Sequence, residues 1–210
     1  SLIVGSVRCV YETVLVIDAC VRREESRTKK LLEAALDTVR KEHPDWNLEI
    51  LNLMDLDLMY WKTETLKERD ELLAKKEYDA PVFKYGNQFR EADGVIVAAP
   101  FWDLSIPAVL KVYIENISAE GITFGCNESG LYGLCKAKWL LFLTTRGGIW
   151  ADSDMEQGST YMEALCKFFG IDEYACVYAD GIDIQELNGE EILREAIDET
   201  KIACSRLCVE

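Results

Sequence analysis

Three short segments hold the residue types that could do chemistry. Ala99-Pro100-Phe101-Trp102-Asp103-Leu104-Ser105-Ile106-Pro107 puts an aromatic pair directly after the apolar run Gly94 to Ala98. Cys20-Val21-Arg22-Arg23-Glu24-Glu25-Ser26-Arg27-Thr28 combines hydroxyls with arginines after the run Thr13 to Asp18. Thr144-Thr145-Arg146-Gly147-Gly148-Ile149-Trp150 places adjacent glycines after a third run, Trp139 to Thr144. The aromatic pair can face a flat cofactor, and equally can cap the core. Ser26 can cap a helix whose free N–H groups, with Thr28 and the arginines, form a phosphate cradle. The same residues also describe an ordinary cap followed by solvated charges. Gly147 and Gly148 let a backbone approach a ligand closely, or simply make a tight turn. No Walker loop or dinucleotide fingerprint is present, so a monoester phosphate suits this cradle better than a dinucleotide.

The elements around these segments must bring them together. Thr13 to Asp18 reads as a buried strand, and Ser26 to about His43 as an amphipathic helix on Leu31, Leu32, Ala35, Leu36 and Val39, ended by Pro44. Leu48 to Leu53 is a second strand, Gly94 to Ala99 a third, Trp139 to Thr144 a fourth and Ala175 to Tyr178 a fifth. Helices are predicted at about Glu64 to Glu77, briefly before Ala92, from Ile106 to Ser118, from Ser159 to Phe169 and from Gly189 to Leu207. Such alternation predicts an α/β fold with a parallel sheet covered on both faces. Ligands then bind outside the carboxyl ends of the strands, where all three segments fall. Gly121 to Gly133, rich in Gly, Asn and Ser, reads as a hairpin or extended loop inserted before the fourth strand.

Composition narrows the partners. The formal net charge of -15 is spread along 210 residues, which argues against nucleic acid or an anionic membrane. No apolar run approaches membrane-spanning length and no signal-peptide layout is visible, so the default location is cytoplasmic. The eight cysteines contain no Cys-x-x-Cys pair, and His43 is the single histidine, so no metal site is expected. Scattered thiols of this kind are mostly small buried side chains. Residues 1–12 match no standard element and are set apart as an N-terminal extension of a 13–210 domain.

With Ala119-Glu120-Gly121-Ile122-Thr123-Phe124, Glu128-Ser129-Gly130 and Gly133-Leu134, these motifs resemble the FMN-dependent NADH:quinone oxidoreductase/azoreductase family. The resemblance implies a flavodoxin-like three-layer sandwich with a five-stranded parallel sheet in the order 2-1-3-4-5. It implies FMN bound noncovalently, with phosphate at Ser26, Arg27 and Thr28 beside Cys20. The ring system would lie against Pro100, Phe101, Trp102, Asp103 and Leu104, and against Thr145, Arg146, Gly147 and Gly148. It further implies a homodimer with sites at the interface, where Cys126 and Phe168 face the substrate. The reaction would be ping-pong two-electron reduction of quinones, azo compounds or other electrophilic aromatic acceptors, with NADH or NADPH as donor and no obligatory side-chain acid or base. The family pattern has serine at Cys20, Met-Tyr-Asn-Phe at Phe101 to Leu104 and tyrosine at Cys126, so this chain departs at all three places. Two rivals remain: a one-electron carrier of flavodoxin type, for which high acidity would steer docking, and a relative that has lost FMN.

Overall fold

The run Val14-Leu15-Val16-Ile17 is buried on both faces, which a strand satisfies only at the centre of a covered sheet. In the computed structural model, which describes residues 12–207, it forms β1 (Thr13–Asp18). Strands β2 (Asn47–Asn52), β3 (Gly94–Ala98), β6 (Trp139–Thr145) and β7 (Glu173–Ala179) pair with it in the order β2-β1-β3-β6-β7, all parallel. Between β3 and β6 the chain inserts the antiparallel hairpin β4 (Phe124–Asn127) and β5 (Gly130–Gly133). The Gly-rich insertion is therefore a hairpin. Counting its strands turns the expected order 2-1-3-4-5 into 2-1-3-6-7 without changing the connectivity of the main sheet.

Side-chain alternation sorts the core into two layers. Val14, Val16, Ile96, Ala98, Leu141 and Leu143 face helices α1 (Arg27–Glu42) and α6 (Gly189–Leu207), which contribute Leu31, Leu32, Ala35, Val39, Leu193 and Ala196. Leu15, Ile17, Val95, Val97, Leu140 and Phe142 face the other way. They meet α3 (Lys84–Glu91), α4 (Ala108–Ile117) and α5 (Gly158–Phe169) through Phe89, Leu110, Ile114, Met162, Leu165 and Phe169. Helix α2 (Thr63–Ala74) buries no residue fully, and its Leu72 and Leu73 pack on a small cluster of Phe83, Ala119 and Ile122. Among the described residues no helix is long and apolar enough to cross a membrane. The expected extension falls almost wholly on residues outside the described ones.

One core residue is imperfectly matched. Tyr113 on α4 is fully buried, and its hydroxyl has no hydrogen-bond partner among the described residues. Burial pushes its phenol pKa up, and the neighbouring Tyr85 and Cys135 add to that. Removing an unbonded buried hydroxyl relieves its desolvation cost, so Tyr113→Phe is expected to stabilise the protein by about 1 kcal/mol. Urea denaturation checks this, and a destabilised variant would show that the hydroxyl is bonded.

Candidate functional site

The sheet order reverses between β1 and β3, and the loops leaving their carboxyl ends part there to open a crevice. A cavity of about 180 Å³ lies in it, lined by Arg22, Glu25, Ser26, Arg27, Pro100, Phe101, Trp102, Thr145, Gly147 and Asp183. All three segments singled out from the sequence thus reach one cavity. A fourth, the loop between β7 and α6, supplies Asp183.

On the α1 side, Ser26 occupies the N-cap position with extended backbone, but its side chain makes no cap hydrogen bond. The expected side-chain cap is absent, so the first-turn N–H groups of α1 are not satisfied from Ser26 and stay available to an anion. Arg23 turns away, its guanidinium 2.6 Å from Asp55. Beneath the cradle, buried Asp18 accepts the Cys20 N–H at 3.0 Å and pairs with Lys29 at 2.5 Å. Burial works against the Lys29 charge, but the hydrogen bond and charge of Asp18 prevail and its pKa is raised.

The aromatic segment is a tight turn. Trp102 and Ser105 exchange backbone hydrogen bonds at 3.0 and 2.9 Å, and Asp103 and Leu104 between them have φ of 50° and 68°. Positive φ at both central positions is the geometry of a type I′ turn, which favours Asn and Gly and strains a leucine. The turn is anchored at both ends. Phe101 N–H donates to Thr145 O at 3.1 Å, and Gln157 N–H at the start of α5 donates to Leu104 O at 2.9 Å. Trp102 and Leu104 are left exposed at the cavity rim.

The diglycine segment is held from the β7–α6 side. Gly181 N–H donates to Gly148 O at 2.9 Å, and Asp183 N–H donates to Gly147 O at 3.0 Å. A Cβ at Gly147 would stand 2.6 Å from the Asp183 carboxylate, so a side chain there would press the exposed end of Asp183 aside.

Several of the predicted site residues stand behind the cavity wall. Thr28 is fully buried, and its hydroxyl bonds that of Thr145 at 2.7 Å. Cys20 is buried with its thiol directed at Ala98 O, and burial followed by the Asp18 charge raises its pKa, keeping it a neutral thiol. Arg146 is drawn inward, 1% exposed, to Glu156 at 3.4 Å and Asp180 at 3.8 Å, with its guanidinium over the Tyr178 ring. Asp103, Leu104 and Gly148 sit beside the lining residues rather than among them. Cys126 and Phe168 belong to other surfaces. Cys126 lines a cavity of about 600 Å³ between α2 and the hairpin, and Phe168 packs on Phe124 with ring centroids 4.5 Å apart.

The sequence reading missed Asp183, Glu156 and Asp180. Applying the carboxyl-end rule to the fifth predicted strand would have flagged Asp180-Gly181-Ile182-Asp183. Nothing local marks Glu156, whose carboxylate accepts the N–H groups of Gly158 and Ser159 at 2.9 Å and so caps α5.

A covered parallel sheet in this strand order, with a crevice at its switch point, defines a flavodoxin-like α/β protein. A family model described as flavodoxin-like fold matches residues 12–202, and the chain belongs to that family. Within it, the chain groups with the FMN-dependent NADH:quinone oxidoreductases. It is similar to one so named from Clostridium beijerinckii, 35% identical over 192 residues that cover 90% of this chain and 96% of that one. Another so named, from Clostridium perfringens, is 33% identical, with 88% and 94% covered. Among solved structures, an azoreductase from Bacillus anthracis superposes with a TM-score of 0.85 at 28% identity, covering 93% of this chain and 99% of that one. An FMN-dependent NADH-azoreductase from the same species, solved in complex with FMN, gives 0.83 at 25% identity, covering 94% and 100%.

Proposed function

We propose that this protein binds FMN and uses NADH or NADPH to reduce quinones, azo compounds or similar electrophilic aromatic acceptors. The observation that carries the reading is the convergence of Ser26, Arg27, Phe101, Trp102, Thr145 and Gly147 on one cavity at the switch point. The residues fit the cofactor. Free N–H groups at the start of α1 with Ser26 and Arg27 suit a phosphate monoester, and the exposed Trp102 and Leu104 offer an apolar platform for a flat ring. Gly147 lets backbone reach that ring without a side chain between. FMN, when bound, supplies the two-electron redox chemistry, and the protein supplies position and electrostatics. Thr28, Cys20 and Arg146 act from behind by fixing the loops.

No side chain is assigned as an obligatory acid or base. His43 lies at the far end of α1, stacked on Trp46 with ring centroids 3.9 Å apart, at the amino-terminal edge of the sheet. Cys126 and Phe168 lie away from the cradle of their own protomer. The reading that joins them to the substrate is a homodimer in which each subunit covers the other's cavity, and the exposed Leu131 and Tyr132 on the hairpin support it. Purified protein is expected to be yellow, to release FMN on denaturation, and to oxidise NADH with a quinone along parallel double-reciprocal lines. Colourless protein that cannot be reconstituted with FMN overturns the proposal. Flavin-loaded protein inert to NADH and NADPH would favour an electron carrier instead.

Asp103 adds a specific expectation. Its carboxylate, on the aromatic turn where relatives of the resembling pattern carry Asn, disfavours added negative charge on a neighbouring ring. Asp103→Asn is therefore expected to raise the flavin midpoint potential by about 30 mV, measured by spectroelectrochemistry. An unchanged or lowered potential would refute it.

A further inference from the structure

Arg27 is the first residue of α1 and one of the two arginines lining the cavity of the proposed phosphate cradle, yet it is already engaged. Its Nη1 donates to Asp183 Oδ1 at 2.7 Å and its Nη2 to Asp183 Oδ2 at 3.0 Å. This fork-to-fork arrangement presents to the guanidinium the same pair of oxygens that a phosphate would present. Both residues line the cavity, and the pair bridges from the first turn of α1 to the β7–α6 loop. We propose that Asp183 is a built-in competitor for the cofactor phosphate, holding Arg27 across the mouth of the cradle until a phosphate-bearing flavin takes its place. The inference rests on the reading of this cavity as the FMN phosphate site.

Three further observations support an opening latch over a fixed strut. The side chains of Arg27 and Asp183 are 36% and 62% exposed, so water can replace each partner and the pair is worth less than about a factor of ten in equilibrium. Arg22 and Arg27 stand against Glu25 and Asp183 in the cavity lining, so the cradle has no surplus positive charge to draw in a dianion while the latch is shut. The Arg27 hydrogen bond, ahead of the charges of Arg27 and Arg22 and against slight burial, lowers the Asp183 pKa, so the carboxylate is ionised at neutral pH. Phosphate must displace that carboxylate or share the arginine with it. Riboflavin, lacking phosphate, offers Arg27 nothing and leaves the pair intact. Asp183 thus lowers affinity for the cofactor and keeps it exchangeable.

The test compares FMN and riboflavin binding, by flavin fluorescence, to the full chain stripped of flavin. Asp183→Asn is expected to bind FMN about five- to tenfold more tightly, with riboflavin affinity unchanged. Arg27→Ala is expected to weaken FMN about tenfold, and Asp183→Asn in that background to restore nothing. If Asp183→Asn leaves FMN affinity unchanged or weakens it, the latch is wrong while the cofactor assignment stands. If riboflavin gains as much as FMN, or the gain survives without Arg27, Asp183 acts by general charge or loop shape and the latch is likewise wrong. Wild-type protein that binds no FMN removes the cofactor reading, and the latch falls with it.

Discussion

Replacing Arg146 by alanine is expected to cost about 3–5 kcal/mol of unfolding free energy, the usual penalty for stranding the partner of a buried ion pair. Arg146 is the largest fully buried side chain among the described residues, and its cation lies between Glu156 and Asp180, which are themselves 4% and 12% exposed in their side chains. Its geometry is not ideal. The ion-pair distances are 3.4 and 3.8 Å, and Nε and Nη1 have no hydrogen-bond partner, while the guanidinium leans on the rings of Tyr178 and Phe101. Such a pair adds little net stability when whole, but removing the cation leaves two carboxylates facing each other in a dry site. Glu156 caps α5, and Asp180 accepts the N–H groups of Trp150 and Ala151 at 2.8 and 2.9 Å, so the loss would spread to both loops at the cavity. Urea denaturation should show the deficit, and heating a melting point lower by roughly 10 °C. Changing Glu156 to glutamine in an Arg146→Met background should recover part of it, because the stranded charge is the main cost. A single variant within about 1 kcal/mol of wild type would contradict this account.

Gly133→Ala is expected to be nearly as damaging, by about 3 kcal/mol, for a different reason. A Cβ on Gly133 would fall 2.0 Å from the carbonyl carbon of Phe169 and 2.1 Å from the nitrogen of Gly170. Both are backbone atoms at the end of α5, where Gly170 takes φ of 79° to stop the helix. No rotamer change can clear them. The hairpin would have to lift from α5, pulling Phe124 off Phe168 and breaking the hydrogen bond from Cys135 N–H to Phe169 O at 3.2 Å. Under the dimer proposal this is the surface that covers the neighbouring site. Quinone turnover should then fall further than FMN affinity, which steady-state kinetics and flavin titration separate. A variant that keeps wild-type stability would mean that the hairpin is not packed on α5 as described.

Elements with a strong local signal were legible to within a residue or two. β1 was expected at Thr13 to Asp18 and is found there, because an apolar run flanked by polar residues can satisfy its backbone and its side chains only as a buried strand. α1 was expected from Ser26 to about His43 and spans Arg27–Glu42, since its apolar stripe repeats at helical spacing up to Pro44. β7 was expected as Ala175 to Tyr178 but runs Glu173–Ala179. Its ends lie at the sheet edge, where burial is partial and pairing with β6 sets the length.

The fold and the place of the cavity were thus written in local patterns of hydrophobicity and turn residues, which act over a few neighbours and need no tertiary context. The family motifs added a cofactor class. What those patterns could not determine was the direction of each polar side chain. Thr28 meets Thr145 across 117 residues, and Arg27 meets Asp183 across 156. Spacing predicted that Ser26, Arg27, Thr28 and Arg146 would gather at the strand ends. Only the packed structure turned Thr28 and Arg146 inward and closed Arg27 onto a carboxylate, because a polar group's partner is chosen by what burial leaves within hydrogen-bond reach.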